Sequence, residues 1–163
     1  MTKLTLRRAT VEDIGQIHGC LADLAAFLGE THLFQLTPEK LQSHGFGPNP
    51  AFNVVVAEND EAVAGICLYF PTFSTWYGTP GIYVQDLYIR PEFRGHKLGE
   101  KLLSAAARQA RAGGATHMRL SVDLANKKAM AFYDRLGMAK RDTEEIRMLD
   151  GQDFENLATS NLN

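Results

Sequence analysis

The run 94–99, with the sequence RGHKLG, places two glycines and three side chains of basic type where a strand is predicted to turn into a helix. Glycine costs about 1 kcal/mol against Ala inside a helix, and cations are unfavourable at the positive end of the helix dipole. A bound anion would account for both features, because the exposed N–H groups and the dipole at a helix start favour negative charge. The run lacks the Gly-Lys-Ser/Thr of a P-loop and the G-x-G-x-x-G of a dinucleotide site. From the residues alone, an anion site and an ordinary strand-to-helix junction both remain open.

The elements around this run follow from the spacing of apolar residues. Alternation and β-branched or aromatic content predict strands at 3–9, 52–58, 62–71, 82–90, 116–123 and 144–150. Apolar residues at helical spacing predict helices at 10–29, 36–47, 98–112 and 126–137. The tail after Gly151 is polar and is predicted to pack loosely or fray. One helix crosses over between two strands, so we expect a βαβ unit and a mixed sheet in an α/β fold.

Composition bounds the class of protein. The chain has 163 residues, 45% hydrophobic and 22% charged, which suits a single globular domain over 1–163. A net charge of −2 disfavours general binding to nucleic acid. Cys20 and Cys67 are too few for a disulfide framework and match no metal-ligand spacing, so we expect two buried apolar residues and no metal. The start, MTKLTLRRATVED, contains no apolar signal segment and no stretch approaches a membrane span, which predicts a cytoplasmic protein with no membrane partner.

Two segments resemble the GNAT superfamily of N-acetyltransferases: VQDLYIRPEFRGHKLGEKLL at 84–103 and NKKAMAFYDRLGM at 126–138. The first carries the family pattern Arg/Gln-x-x-Gly-x-Gly/Ala, with Lys97 where the family most often has glycine. The resemblance implies a single-domain GNAT-like fold, with a mixed central sheet of about six to seven strands flanked by about four helices. It also implies acetyl-CoA as cosubstrate, with its pyrophosphate on loop 94–99. The residues implied to bind it are Leu87, Tyr88, Ile89, Arg94, Gly95, His96, Lys97, Leu98, Gly99, Asn126 and Ala129.

Further stretches are similar to the spermidine/spermine N-acetyltransferase branch of that superfamily. They are 21–47, the loop 70–81 with its Trp-Tyr-Gly, and 144–158. That branch acetylates polyamines and related small amines and forms dimers, so the resemblance implies a small primary amine as acceptor and a homodimer. Acids of that branch's pocket correspond here to Leu28, Ser74 and Gln85, and each lost carboxylate removes charge-assisted hydrogen bonds to a polycation. A non-catalytic acetyl-CoA-binding sensor or regulatory module, and an acetyltransferase for protein lysines or N-termini, remain alternatives.

The implied reaction needs a base, because an alkylammonium has a pKa of about 10.4 and must lose a proton before it attacks the thioester. The related branch uses a glutamate where this chain has Gln85. Asp86 is the predicted base, with Glu30, His32 or water as alternatives. Successive strand residues face opposite ways, so alternation would turn Asp86 away from Gln85 and into the core.

The remaining assignments complete the predicted site. Tyr133 is implied to protonate the departing thiolate, whose conjugate thiol has a pKa of about 8.5. Glu30 and Gln85 are expected to line the acceptor pocket. Trp76 and Tyr77 either wall that pocket, where an aromatic face attracts an ammonium, or anchor a dimer contact.

Overall fold

The computed structural model describes residues 4–60 and 62–160 and divides the chain into two compact units, Met1–Asp123 and Leu124–Asn163. Within the described part of the first unit lie the strands β1 (Thr5–Arg8), β2 (Asn53–Glu58), β3 (Val63–Ser74), β4 (Thr79–Ile89) and β5 (Met118–Leu120). The same unit holds the helices α1 (Ile14–Phe27), α2 (Pro38–Gly45) and α3 (Leu98–Ala112). The second unit holds α4 (Lys127–Arg135) and α5 (Gly151–Thr159). The first residue of the predicted strand at 3–9 lies outside the described residues.

The strands form one sheet in the order β1-β2-β3-β4-β5. Neighbouring strands pair antiparallel from β1 to β4, whereas β5 lies parallel to β4 after the crossover through α3. Parallel neighbours require such a crossover, and a helix is its usual form. The predicted class, an α/β fold with a mixed sheet and a βαβ unit, is confirmed.

Helices cover both faces of the sheet. On one face, Ile17 and Leu21 of α1 and Leu41 of α2 pack in a core with Ile66 and Leu68 of β3. On the other face, the side chains that alternate with these meet α3, where the Tyr69 hydroxyl donates a hydrogen bond to Gln109 Oε1 at 2.9 Å. The central strands β2 and β3 are therefore buried on both sides, which explains their nearly continuous apolar sequence.

One sequence prediction at the C-terminal end is wrong. Within the described residues the sheet has five strands rather than six or seven, because 144–150 forms no strand. The alternation in that run is not matched by a buried face, since Ile146 and Met148 are 76% and 81% exposed. The tail, expected to pack loosely or fray, forms α5, whose residues are all exposed, with Asp150 in extended conformation at its N-cap. The predicted strand at 116–123 is confirmed only over its central residues, as β5.

The helices of the described residues can be compared with what a membrane span requires. Among residues 4–60 and 62–160, no helix combines the length and the apolar character that crossing a bilayer requires.

Candidate active site

The loop that enters α3 has an unusual backbone. Gly95 has φ +86° and Lys97 has φ +55°, and Lys97 is the one described non-glycine residue with positive φ. A non-glycine residue pays steric energy in this left-handed region, because its Cβ approaches the following carbonyl oxygen. Positive φ at a non-glycine residue shows that the surrounding turn imposes this conformation on Lys97.

The start of α3 exposes hydrogen-bond donors. The first intrahelical bond runs from the Lys101 N–H to the Lys97 carbonyl at 3.0 Å, so the N–H groups of Leu98, Gly99 and Glu100 precede any acceptor within the helix. No side chain caps this end. The donors, the helix dipole and the basic side chains of the loop together suit a phosphate group.

Arg94 is held at the edge of this loop. Its Nε donates to the Ile89 carbonyl at 3.1 Å, and its guanidinium lies over the Phe27 ring of α1, 5.5 Å from the ring centroid. These contacts fix the base of the side chain and leave its remaining donors for a ligand.

A β-bulge interrupts β4 at the predicted acceptor site. In the register between β3 and β4, Leu68 pairs with Asp86 and Tyr69 pairs with Val84, so Gln85 is an extra residue without a partner position. An extra residue breaks the strict alternation of a strand. As a result, Gln85 and Asp86 line the same cavity, and the expectation that alternation turns Asp86 away from Gln85 is wrong.

Beyond the bulge, one edge of β4 is open. The ladder between β4 and β5 covers only 82–84 and 118–120, so no described strand pairs with 85–89 on that side. The Arg90 N–H donates to the Ala64 carbonyl at 2.9 Å, which fixes the alternation of the antiparallel ladder between β3 and β4. By that alternation, the backbone groups of Leu87 and Ile89 point away from β3, towards the open edge.

Tyr88 has a different place. Its side chain is buried in the core against α1, and the same alternation directs its backbone towards Ile66 of β3. Of the three residues implied at this strand, Leu87 and Ile89 therefore direct their backbone groups towards the open edge, where the Ile89 carbonyl already accepts from Arg94 Nε, whereas Tyr88 packs in the core.

The cavity next to the bulge has a volume of about 380 Å³ and lies between α1, α2 and the sheet. Three of its lining residues are polar, namely Glu30, Gln85 and Asp86. The others are apolar: Leu21, Leu24, Ala25, Leu28, Leu33, Phe34, Leu36, Leu41, Phe52 and Leu68. A concave, mostly apolar pocket with a few convergent polar groups is typical of a small-molecule site.

Asp86 is the carboxyl group in the wall of this cavity that is partly buried. Burial raises its pKa from 3.8 to about 6, because the ionised carboxylate loses contact with water. Glu30, by contrast, follows the C-terminus of α1 and is exposed at the mouth. A carboxyl group with a raised pKa in a cleft is a functional-site candidate, since structural carboxylates more often have lowered values.

Trp76 and Tyr77 are not brought to this cavity. They occupy the tight turn between β3 and β4, are 94% and 57% exposed, and are absent from the cavity lining. Tyr77 packs edge-on against the ring of His117, with centroids 5.3 Å apart. His32 lies in an exposed single-turn helix beside the cavity mouth.

The second unit carries the remaining predicted residues on α4. Asn126 Oδ1 accepts a hydrogen bond from the Ala129 N–H at 3.1 Å, so this side chain caps α4 as the sequence predicted. Its Nδ2 group carries the donors for any further partner. Tyr133 follows on the same helix, with its ring 5.1 Å from that of Phe132.

Sequence reasoning missed part of the cavity wall. Leu28 was matched to a pocket position of the related branch, whereas Leu21 and Leu24 were predicted only as apolar residues of a helix and Leu36 was assigned no role in the site. His18 contacts this wall: its Nε2 lies 3.0 Å from the Leu36 carbonyl oxygen. The sequence signal for this wall was the loop 33–36, which contains three apolar residues. A short connection between two helices does not require apolar residues, so their presence indicates that they pack against a pocket. Among the described residues, no group of three His, Cys, Asp or Glu side chains is placed to hold a metal ion.

Comparison with known proteins identifies relatives. The family model described as "Acetyltransferase (GNAT) family" matches residues 18–138. Thialysine N-epsilon-acetyltransferase of Mus musculus is 34% identical over 145 residues, which cover 84% of this chain and 85% of that protein. Spermidine/spermine N(1)-acetyltransferase-like protein 1 of Homo sapiens is 26% identical over 89% of this chain and 22% of that longer protein. A solved integron cassette protein from the mobile metagenome of V. cholerae has the same fold, with a TM-score of 0.81 and 19% identity over 98% of this chain and 99% of that one.

Proposed function

The chain belongs to the acetyltransferase (GNAT) family and is an N-acetyltransferase, and from that premise we propose that it moves the acetyl group of acetyl-CoA to a primary amine of a small molecule. One observation carries the proposal. The bulge in β4 sets Gln85 and Asp86 in the wall of an open cavity, while the backbone of Leu87 and Ile89 faces the unpaired edge of β4. An amine bound in the cavity and an acetyl-CoA bound along the edge of β4 would meet at the bulge.

The residues present suit the coenzyme. Loop 94–99 offers cations for the pyrophosphate, and the uncapped start of α3 offers backbone N–H donors. Leu87 and Ile89 offer backbone groups to the pantetheine arm, in the manner of an added strand. We assign Asn126 and Ala129 to the same arm by family resemblance. When bound, acetyl-CoA supplies an activated thioester acetyl group.

Asp86 is the proposed base. At neutral pH, a carboxyl group with a pKa of about 6 is mostly ionised and can accept the proton of the acceptor ammonium. The difference between its pKa and that of an alkylammonium is about two units smaller than for an ordinary aspartate. This makes the equilibrium for proton transfer from the ammonium roughly 100-fold more favourable. Gln85, beside it, cannot accept a proton and is assigned to orient the amine by hydrogen bonding.

Two further groups would complete the chemistry. The Leu87 N–H, directed towards the open edge, is placed to stabilise negative charge on the acetyl oxygen. Tyr133 Oη is assigned as the acid that gives a proton to the leaving sulfur, as the family match implies. Both roles predict effects on kcat rather than on acetyl-CoA binding.

We also propose a cytoplasmic homodimer in which residues 1–163 act as one domain. The almost fully exposed Trp76 at the tip of the β3–β4 turn supports a dimer contact over a role as pocket wall, because aromatic residues are enriched at interfaces. Sedimentation of wild type against Trp76→Ser tests this part: the variant should sediment more slowly if the turn anchors a partner.

The direct test of the function is release of free CoA thiol from acetyl-CoA against a panel of amines. The panel should include alkylamines, diamines, lysine, aminoglycosides and a peptide with a free N-terminus. Turnover with a small amine, falling as the pH drops through about 6, would support the proposal. Turnover confined to the peptide would favour a protein acetyltransferase, and silence across the panel would contradict the assigned acceptor class.

A further inference from the structure

The cavity beside the bulge has an uneven distribution of charge. Of its described lining residues, Asp86 is the one partly buried ionisable group, whereas the Glu30 carboxylate is exposed at the mouth. Among the described residues that line it, none is Lys, Arg or His. The site can therefore neutralise one buried positive charge and has no partner for a buried negative one.

The walls between these two acids are apolar. Leu21, Leu24 and Leu28 present one side of α1, and Phe34 and Phe52 close the cavity from the loop side and from the start of β2. A volume of about 380 Å³ lies within the range of small-molecule pockets. A ligand that fills it gains by burying apolar surface against these side chains.

We infer that the acceptor is a monoamine with an apolar body, an alkyl or aralkyl amine, rather than a polyamine or an amino acid. This inference rests on the proposed function and names the acceptor class for that site. The single ammonium meets Gln85 and Asp86 at the bulge, and the apolar body occupies the leucine and phenylalanine walls.

A second charge makes the other classes poorer ligands. The α-carboxylate of an amino acid would enter a cavity without a cation, and burying an unpaired charge is costly. The second ammonium of a diamine would have only the exposed Glu30 at the mouth. An exposed ion pair gains little, because water screens the attraction and both groups give up side-chain freedom.

Three acceptors of similar length test the inference: hexylamine, hexamethylenediamine and lysine. With wild-type enzyme and acetyl-CoA, kcat/KM for hexylamine should exceed the values for the other two by at least tenfold. Saturation-transfer NMR with the enzyme and each amine adds a readout that does not depend on turnover, and the alkyl protons of hexylamine should show the strongest transfer. If lysine or the diamine is preferred, the inference is wrong, although the proposed function stands.

A pair of variants distinguishes the effect of a carboxylate in the cavity wall from the effect of an added negative charge elsewhere on the protein. Leu28→Glu places a carboxylate on the cavity wall at a residue that is already 40% exposed, so the fold should tolerate it. It should raise the preference for the diamine over hexylamine at least fivefold. Val11→Glu, at a residue that is 50% exposed and does not line the cavity, is the matched control and should leave the preference unchanged. Equal shifts in both variants would overturn the inference.

Failure of the proposed N-acetyltransferase function gives a different result from failure of the monoamine inference. If none of the three amines nor the wider panel is acetylated, the proposed function and this inference fail together. If the diamine is preferred and Glu30→Gln abolishes that preference, Glu30 is a second anchor and only the monoamine inference is overturned.

Discussion

Replacing Asp86 with asparagine should stabilise the protein at neutral pH, and the gain should disappear as the pH falls. Burial raises the pKa of Asp86 from 3.8 to about 6, so the folded state binds this proton more tightly than the unfolded state does. Between these two pKa values the stability of the wild type therefore falls as the pH rises. Asparagine has the same shape and no charge, so it removes this dependence.

The size of the effect follows from the two pKa values. A difference of about two units corresponds to about 3 kcal/mol in the free energy of unfolding. The wild type loses this amount as the pH rises from about 3 to about 7. The free energy of unfolding of Asp86→Asn relative to wild type should thus increase by about 3 kcal/mol from about pH 3 to about pH 7.5.

Urea unfolding followed by far-UV circular dichroism, repeated across that pH range, measures the difference. Glu30→Gln is the matched control, because its carboxylate is exposed at the mouth of the same cavity and its substitution should change stability by less than about 0.5 kcal/mol. Acetyl transfer by Asp86→Asn should be low at every pH, so stability and activity move in opposite directions. A stability difference that does not depend on pH would refute the reasoning, since Asp86 would then have an ordinary pKa in the folded protein.

Three further substitutions test individual features. Lys97→Gly should raise the free energy of unfolding by about 0.5–1 kcal/mol in urea titrations, because glycine adopts φ +55° without steric cost. Gly65→Ala should destabilise by about 1–3 kcal/mol, because a Cβ there would lie 2.7 Å from the Tyr88 carbonyl oxygen, and backbone cannot move aside. Tyr133→Phe should lower kcat by about 100-fold or more while the calorimetric affinity for acetyl-CoA stays the same.

Each of these has a matched control. Lys101→Gly, inside the first turns of α3, should destabilise by about 1 kcal/mol, and a loss of that size in Lys97→Gly would show that Lys97 is not strained. Gly15→Ala, in α1 with nothing within 4 Å of its added Cβ, should stabilise, so a loss there would undermine the steric argument for Gly65. Tyr83→Phe removes a hydroxyl that donates to Ser121 Oγ at 2.6 Å, and an equal loss of kcat there would deny Tyr133 a specific role.

The unusual backbone of loop 94–99 could be anticipated because its residues are unfavourable at the start of an ordinary helix. Glycines and cations at a helix start are unfavourable without a ligand, and the structure shows the positive φ values and open helix end that this conflict implies. Asn126 was predictable for a similar reason, because an Asn before an amphipathic run is a standard N-cap.

The bulge was not predictable from alternation. A bulge adds one residue to one strand without a distinctive residue type, so the sequence at 84–88 reads as an ordinary strand with Asp86 facing the core. Only the pairing with β3 shows that Gln85 is the extra residue, which allows both Gln85 and Asp86 to line the cavity. The acceptor site therefore depends on long-range pairing that local patterns do not contain.

The errors near the C-terminus have a different origin. The alternation at 144–150 predicts a strand, but a strand also needs a partner and a buried face, and Ile146 and Met148 have no buried face. The helix α5 was missed because its segment is polar, although Asp150 followed by Phe154 and Leu157 at helical spacing is a weak helix signal.

The most direct test of the account is to quantify N-acetylated amine by mass spectrometry after wild-type enzyme is incubated with acetyl-CoA and hexylamine. N-acetylhexylamine should accumulate in equal amount to free CoA thiol, and Asp86→Asn should remove both signals. Free thiol without acetylated amine, or tight acetyl-CoA binding with neither product for any amine in the panel, would contradict the central claim that this cavity delivers an amine to the acetyl group.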